Sequence, residues 1–176
     1  NKKWADWINS YKHFGMEMAG ANREGIHFNI IGTNYKLSNI QAAVGLGQLE
    51  NIEKLLSKRI LLANNYKKLI KEIDKISLPK VLNPKSNCQH SFQTYVVYVE
   101  NRDIVMSKMR TVGIEVQIGS YSLHMHKAFN DNPQIKIKGK MQNSRWCYEH
   151  ALALPLYDDL TEELQKNIIE ELKNIL

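Results

Sequence analysis

Gly32-Thr33-Asn34-Tyr35-Lys36-Leu37-Ser38-Asn39-Ile40-Gln41-Ala42-Ala43-Val44-Gly45-Leu46-Gly47-Gln48-Leu49 is the stretch on which the reading of this chain turns. Ser38 with Gln41 three positions on forms a capping box, so a helix is predicted to start at Ser38. Ahead of it lies an extended turn with a neutral amide, Asn34, and a cation, Lys36, on alternate positions. A polar lead-in to a capped helix N-terminus is able to receive a phosphate. It also reads simply as a polar loop before a packed helix, and spacing alone favours that reading. Inside the helix, Gly45 and Gly47 each cost about 1 kcal/mol relative to alanine. Close approach of a neighbouring helix to these small residues is the expected compensation.

Beyond Leu49 the apolar stripe continues as Ile52, Leu55, Leu56, Leu62, Ala63, Tyr66, Leu69, Ile70 and Ile73. From the start at Ser38 this predicts one long helix, or two meeting near Glu50, ending before Pro79, with a long helix within residues 48–74 in either case. Such a length suits an element joining two domains. Upstream, Trp4, Trp7, Ile8 and Tyr11 mark one face of a helix over residues 2–13. Gly15, Gly20 and Gly25 punctuate a loop, and residues 27–31 read as a strand or an extended lead-in.

The second half changes rhythm. Residues 91–99, with Phe92, Thr94, Tyr95, Val96, Val97, Tyr98 and Val99, predict a strand. Ile104, Met109 and Val112 follow at loose helical spacing and stop at Gly113, while residues 114–118 alternate apolar and polar as a strand with one wet face. A small sheet built on residues 91–99 and 114–119, inside an α/β sandwich, is the expectation. Residues 130–142 are polar and read as mobile, and 146–154 read as helical or partly so, ending at Pro155. Thr161 caps a last helix with the stripe Leu164, Ile168, Leu172 and Ile175.

Composition bounds the function. The chain has 176 residues, 43% of them hydrophobic and 24% charged, which is ordinary for a globular protein. Cys88 and Cys147 lie far apart, which argues against a disulfide framework or a zinc ribbon and fits a reducing compartment; no metal site is expected. No apolar run approaches the ~18 residues of a membrane span. The expectation is a cytoplasmic protein. It opens without an initiator methionine, inside what reads as a helix, as a fragment of a longer chain would. The net charge of +6 admits an anionic partner such as a nucleotide, but also reads as solvated helix faces carrying Lys67, Lys68, Lys71 and Lys75. No arginine-rich or aromatic-interleaved basic stripe points to nucleic acid, so the solvated reading is favoured.

Residues 32–49 resemble the G-x-N-x-R/K-x-S-x-x-x-A-A-x-G-x-x-Q-L signature of the DegT/DnrJ/EryC1/StrS family of PLP-dependent aminotransferases. Gly32, Asn34, Lys36, Ser38, Ala42, Ala43, Gly45, Gln48 and Leu49 match in order. Arg59, Ala63 and Tyr66 fit the family's R-x-x-x-A-x-x-Y helix. Residues 113–115 through Leu123-His124 resemble the strand and loop ending in P-x-H or A-x-H, although Ser122 stands where proline or alanine is usual. Ala153-Leu154-Pro155-Leu156-Tyr157 with Leu160-Thr161 resembles the closing L-P-L-Y…L-T segment. Four collinear matches reinforce one another.

The resemblance implies the C-terminal part of a fold-type I PLP-dependent transferase, with a long connecting helix, a small α/β sandwich domain and most of the large domain absent. Residues 1–74 would be the large-domain remnant with its connecting helix, and 75–176 the small C-terminal domain. Pyridoxal 5'-phosphate would be the cofactor in the full-length protein, a homodimer that builds its active sites at the subunit interface. The family's Schiff-base lysine would lie upstream, so no catalytic residue is carried over and the fragment alone is expected to be inactive.

Asn34 matches the residue whose amide reaches the PLP phosphate of the neighbouring subunit. Lys36 falls where arginine is frequent, turning a bidentate contact into a point charge. His124 matches a substrate-binding histidine near the sugar mouth, and reads equally as a hydrogen-bonded loop histidine. Arg59 and Tyr66 read as packing residues, Tyr121 as facing the nucleotide or, the favoured reading, as a cover for the sheet, and His126 is given no role. The reaction implied is transfer of an amino group, from glutamate as donor, to a nucleotide-activated keto sugar. Two alternatives stand beside it: a sugar dehydratase of the same family, and a basic nucleic-acid-binding or interaction domain.

Overall fold

The computed structural model describes residues 1–17, 26–80 and 89–176, so Gly20, Gly25 and Cys88 lie outside the described residues. The chain forms two compact units, Asn1–Ile52 and Glu53–Leu176.

The first unit begins with α1 (Lys2–Tyr11), whose N-cap Asn1 accepts from the Lys3 N–H at 3.1 Å. Trp7 stacks on Tyr11 with ring centroids 4.9 Å apart. The chain then doubles back: Phe14 donates to the Thr33 carbonyl at 3.1 Å, Thr33 to Tyr11 at 2.8 Å and Tyr35 to Lys12 at 3.1 Å. Glycine is required at the crossing. A Cβ on Gly32 would strike the Gly15 nitrogen, and one on Gly15, which sits at φ 81°, would strike the Ile30 carbonyl. The first residue of the signature thus lets two backbones touch. Residues 26–31 make only an isolated bridge, Met16 to Phe28, so the extended lead-in is the form adopted.

The capping box forms as predicted. Ser38 Oγ accepts from Gln41 N at 3.3 Å and Gln41 Oε1 from Ser38 N at 3.0 Å, opening α2 (Asn39–Glu50). The helix stops at Asn51, whose side chain donates to the Gly47 carbonyl at 3.3 Å, and α3 (Ile52–Ile70) follows, so two helices meet where one long helix was the alternative. No α2 residue is buried. The close helix approach expected at Gly45 and Gly47 is not made among the described residues, because a Cβ at either would meet nothing within 4 Å.

In the second unit, α3 buries Leu62, Ala63, Tyr66 and Ile70, a face at helical spacing. Strand β1 (Tyr95–Tyr98) leads to α4 (Arg102–Thr111), closed by Gly113 at φ 80°. Then come β2 (Gln117–Ile118), a 3-10 turn (Leu123–Met125), α5 (Lys127–Asn130), α6 (Gln142–His150), β3 (Ala151–Leu154) and α7 (Glu162–Ile175). The sheet is antiparallel with β3 in the middle, Val97 opposite Leu152 and Ile118 also opposite Leu152.

The helix expected over all or part of 146–154 ends at His150, residues 151–154 form a strand, and the two predicted strands sit on either side of it in one sheet. Ala-Leu-Ala-Leu is buried on both faces, so it shows no polar alternation, and alanine and leucine are good helix formers. Its strand conformation comes from the neighbours on either side.

Along β1 the burial alternates, with Tyr95 and Val97 directed to the core that also holds residues of α3, α4 and α7. Tyr98 points to the other face and meets Trp146 of α6 with ring centroids 4.7 Å apart. Leu152, Leu172 and Met109 are fully buried, each contributing about 1.5–3 kcal/mol of apolar transfer. Gln165 of α7, also fully buried, donates to the Leu62 carbonyl of α3 at 2.9 Å. Tyr66 donates its hydroxyl to the Pro155 carbonyl at 2.9 Å. Burial pushes the Tyr66 phenol far above its ordinary value and the Tyr95 phenol up to about 12.

Candidate functional site

Three of the sequence-selected residues fall in two places, one in each unit. In the first, the backbone bonds from Phe14, Thr33 and Tyr35 hold residues 33–35 in place, and His13 bridges Asn34. Asn34 is exposed, and its side-chain amide makes no hydrogen bond among the described residues. Lys36 is exposed with its ammonium 4.9 Å from the centroid of the Phe14 ring, a cation–π contact that steadies a long side chain. Ser38 takes the Gln41 N–H, and helix geometry leaves the N–H groups of Asn39 and Ile40 without intrahelical partners. Residues 26–49 contain no Asp or Glu. The loop therefore presents an amide, an ammonium and a helix N-terminus, a donor set suited to an anion.

In the second unit, His124 sits in the 3-10 turn, partly buried. Its Nδ1 lies 2.9 Å from Ser122 Oγ, and Ser122 Oγ lies 2.9 Å from Ser144 Oγ of α6. Ser122 is fully buried. His124 Nε2 has no protein partner among the described residues. His126 packs edge-on to Tyr148 at 5.5 Å, and its Nε2 is buried without a hydrogen-bond partner. Tyr121 is mostly exposed, its ring 6.2 Å from His126 and 6.1 Å from Tyr148. Arg59 donates to the carbonyls of Phe92 at 3.0 Å and Gln93 at 3.1 Å, a packing role, as is that of Tyr66 in the core.

Two participants were not singled out from sequence. Ser144 carries no local signal, since its partner is twenty-two positions away. Arg102, almost fully buried, donates to the Tyr148 carbonyl at 2.6 Å and lies 5.4 Å from that ring's centroid, tying the start of α4 to α6. Its Nε is 3.1 Å from Asp103, near enough for charge attraction but not aligned to donate. A signal existed here: a cation in the first turn opposes the helix dipole, which hints at a tertiary partner. Among the described residues no group of three or more His, Cys, Asp and Glu could hold a metal ion, and no helix is long and apolar enough to cross a membrane.

The profile of the DegT/DnrJ/EryC1/StrS aminotransferase family matches residues 1–173. The chain belongs to this family. An aminotransferase of the same family from Brucella abortus is 26% identical, with a TM-score of 0.79 over 99% of this chain and 44% of that one. The aminotransferase TlmJ of Streptoalloteichus hindustanus, at 19% identity, shares the fold with a TM-score of 0.82 over 99% of this chain and 45% of its own. PseC of Helicobacter pylori, an aminotransferase involved in pseudoaminic acid biosynthesis, shares it at 18% identity and a TM-score of 0.81, over 99% and 46% of the two chains. An uncharacterized protein of Methanocaldococcus jannaschii is 23% identical over 151 residues, 82% of this chain and 38% of the relative. The chain thus spans less than half the length of these relatives. Members of the DegT/DnrJ/EryC1/StrS family depend on PLP, and the amide of Asn34 and the ammonium of Lys36 are donors of the kind a phosphate takes.

Proposed function

We propose that this chain is the C-terminal part of a PLP-dependent sugar aminotransferase, cytoplasmic and homodimeric in its full-length form, that moves an amino group from glutamate to a keto group on a nucleotide-activated sugar. In this reading, residues 1–74 complete the large domain and its connecting helix, and 75–176 form the small domain. One observation carries the proposal: an exposed, unpaired Asn34 amide and a ring-steadied Lys36 stand ahead of a side-chain-capped helix, in the family's own order. PLP, when bound, supplies the electron sink. Asn34 donates its amide to the phosphate of a PLP held by the neighbouring subunit, adding direction without charge. Lys36 adds a point charge to the same phosphate, and His124 binds the sugar.

None of the lysines in these 176 residues stands in the family's Schiff-base context, so the chain alone is proposed to be inactive. Given PLP and then borohydride, it is expected to retain no covalent adduct after dialysis. A trapped adduct at one specific lysine would overturn that. In the full-length dimer, Asn34→Ala is expected to weaken PLP retention roughly ten- to a hundredfold, the loss of a charge-assisted hydrogen bond. Mixing Asn34→Ala subunits with subunits lacking the Schiff-base lysine should restore one site per dimer, built from the lysine of the first and the Asn34 of the second. Unchanged affinity in the Asn34→Ala homodimer defeats the role, and failure of the mixed dimer to recover places the contact within one subunit.

A further inference from the structure

Family resemblance puts proline or alanine at the place of Ser122, and neither side chain can hydrogen-bond. Here a hydroxyl takes that place, fully buried and within 2.9 Å of both His124 Nδ1 and Ser144 Oγ. A buried hydroxyl with two partners is fixed by them, since leaving it unpaired costs about 1–3 kcal/mol. The serine pair has an internal logic. Each hydroxyl carries one proton and can both donate and accept. When Ser144 donates to Ser122 and Ser122 to Nδ1, Nε2 of the neutral ring carries the proton and acts as a donor. When Nδ1 donates to Ser122 and Ser122 to Ser144, Nε2 becomes an acceptor. The imidazole keeps the same anchor in either tautomer, and Ser144 links that anchor to α6.

We propose that Ser122 and Ser144 are positioning residues for His124, locking the ring through Nδ1 so that Nε2 is the nitrogen offered to a sugar hydroxyl of the substrate. This rests on the reading of His124 as a sugar contact, and the test separates the two.

The first arm records the ring-nitrogen shifts of His124 by long-range proton–nitrogen NMR on this chain. The expected result is a signature distinct from that of an unrestrained histidine. It should collapse to the unrestrained value in Ser122→Ala, move less in Ser144→Ala and return in Ser122→Thr, while the other histidines stay unchanged. A His124 signature unaltered by Ser122→Ala overturns the proposal, whatever His124 does.

The second arm uses the PLP-loaded full-length dimer with a UDP-linked and a dTDP-linked keto hexose as acceptors. Ser122→Ala should raise the acceptor KM about five- to tenfold with kcat unchanged, the loss of one hydrogen bond's net contribution. His124→Ala should raise it at least as much, and the double variant should be no worse than His124→Ala alone. Additive losses would mean that Ser122 acts by some route other than His124, and overturn the proposal. A wild-type KM in His124→Ala, or turnover of neither acceptor by the wild type, removes the sugar-contact reading instead, and with it the role proposed for the ring.

Discussion

In the first unit Trp4 is 63% exposed, Ile40 79% and Leu49 61%, and α1 and α2 bury no residue; in the second, Leu152, Leu172 and Met109 are not exposed at all. Both units are written with helical apolar stripes. The stripe of α3 finds a sheet and two helices to cover, so Leu62, Ala63, Tyr66 and Ile70 join one core. α2 carries apolar residues around most of its circumference, the pattern of a helix enclosed on several sides, and within its own unit it meets no such enclosure. Periodicity states which face wants burial. Whether burial happens depends on residues elsewhere.

Cutting the chain tests this contrast most severely. Residues 53–176 alone should unfold in a single cooperative thermal transition, whereas residues 1–52 alone should show no such transition by circular dichroism, since without a core nothing offsets the chain entropy. A cooperative transition in 1–52 would erase the contrast. Point substitutions probe it more finely. Leu152→Ala should cost about 2–5 kcal/mol in denaturant titration, the range for large-to-small core changes, while Leu49→Ala on exposed α2 should stay within about 0.5 kcal/mol.

Alkaline pH reaches the second unit's core. Tyr66 and Tyr95 have phenols raised by burial above the ordinary value of 10.0. The unfolded chain releases these protons first, so their contribution is complete below pH 10 and declines as pH rises toward 12. Tm measured from pH 9 to 12 should fall, and a Tyr95→Phe variant should fall less steeply. The smallest effect is expected in the first unit. Ser38→Ala removes the cap of α2 and should cost about 1 kcal/mol locally, read as faster amide exchange at Asn39 to Ala42 with Tm little changed.

Much of the site is legible in the sequence. Short motifs mark Asn34, Lys36 and His124, and the loop around Asn34 presents the donors that its motif suggests. No motif marks Ser144 or Arg102, because their importance lies in hydroxyl and carbonyl partners at least twenty-two positions away.

Local sequence is enough to mark several helix ends. Ser38 with Gln41, Thr161 with Leu164, and Gly113 after α4 act through bonds or backbone angles within a turn of the chain, so three or four residues suffice to specify each. Only long-range packing makes Ala151-Leu152-Ala153-Leu154 the central strand of the sheet and hangs His124 on two serines. Tyr95 must reach Leu154, and Ser122 must reach Ser144, before either pairing exists. Such contacts close long loops, and a local window of sequence holds only one side of them.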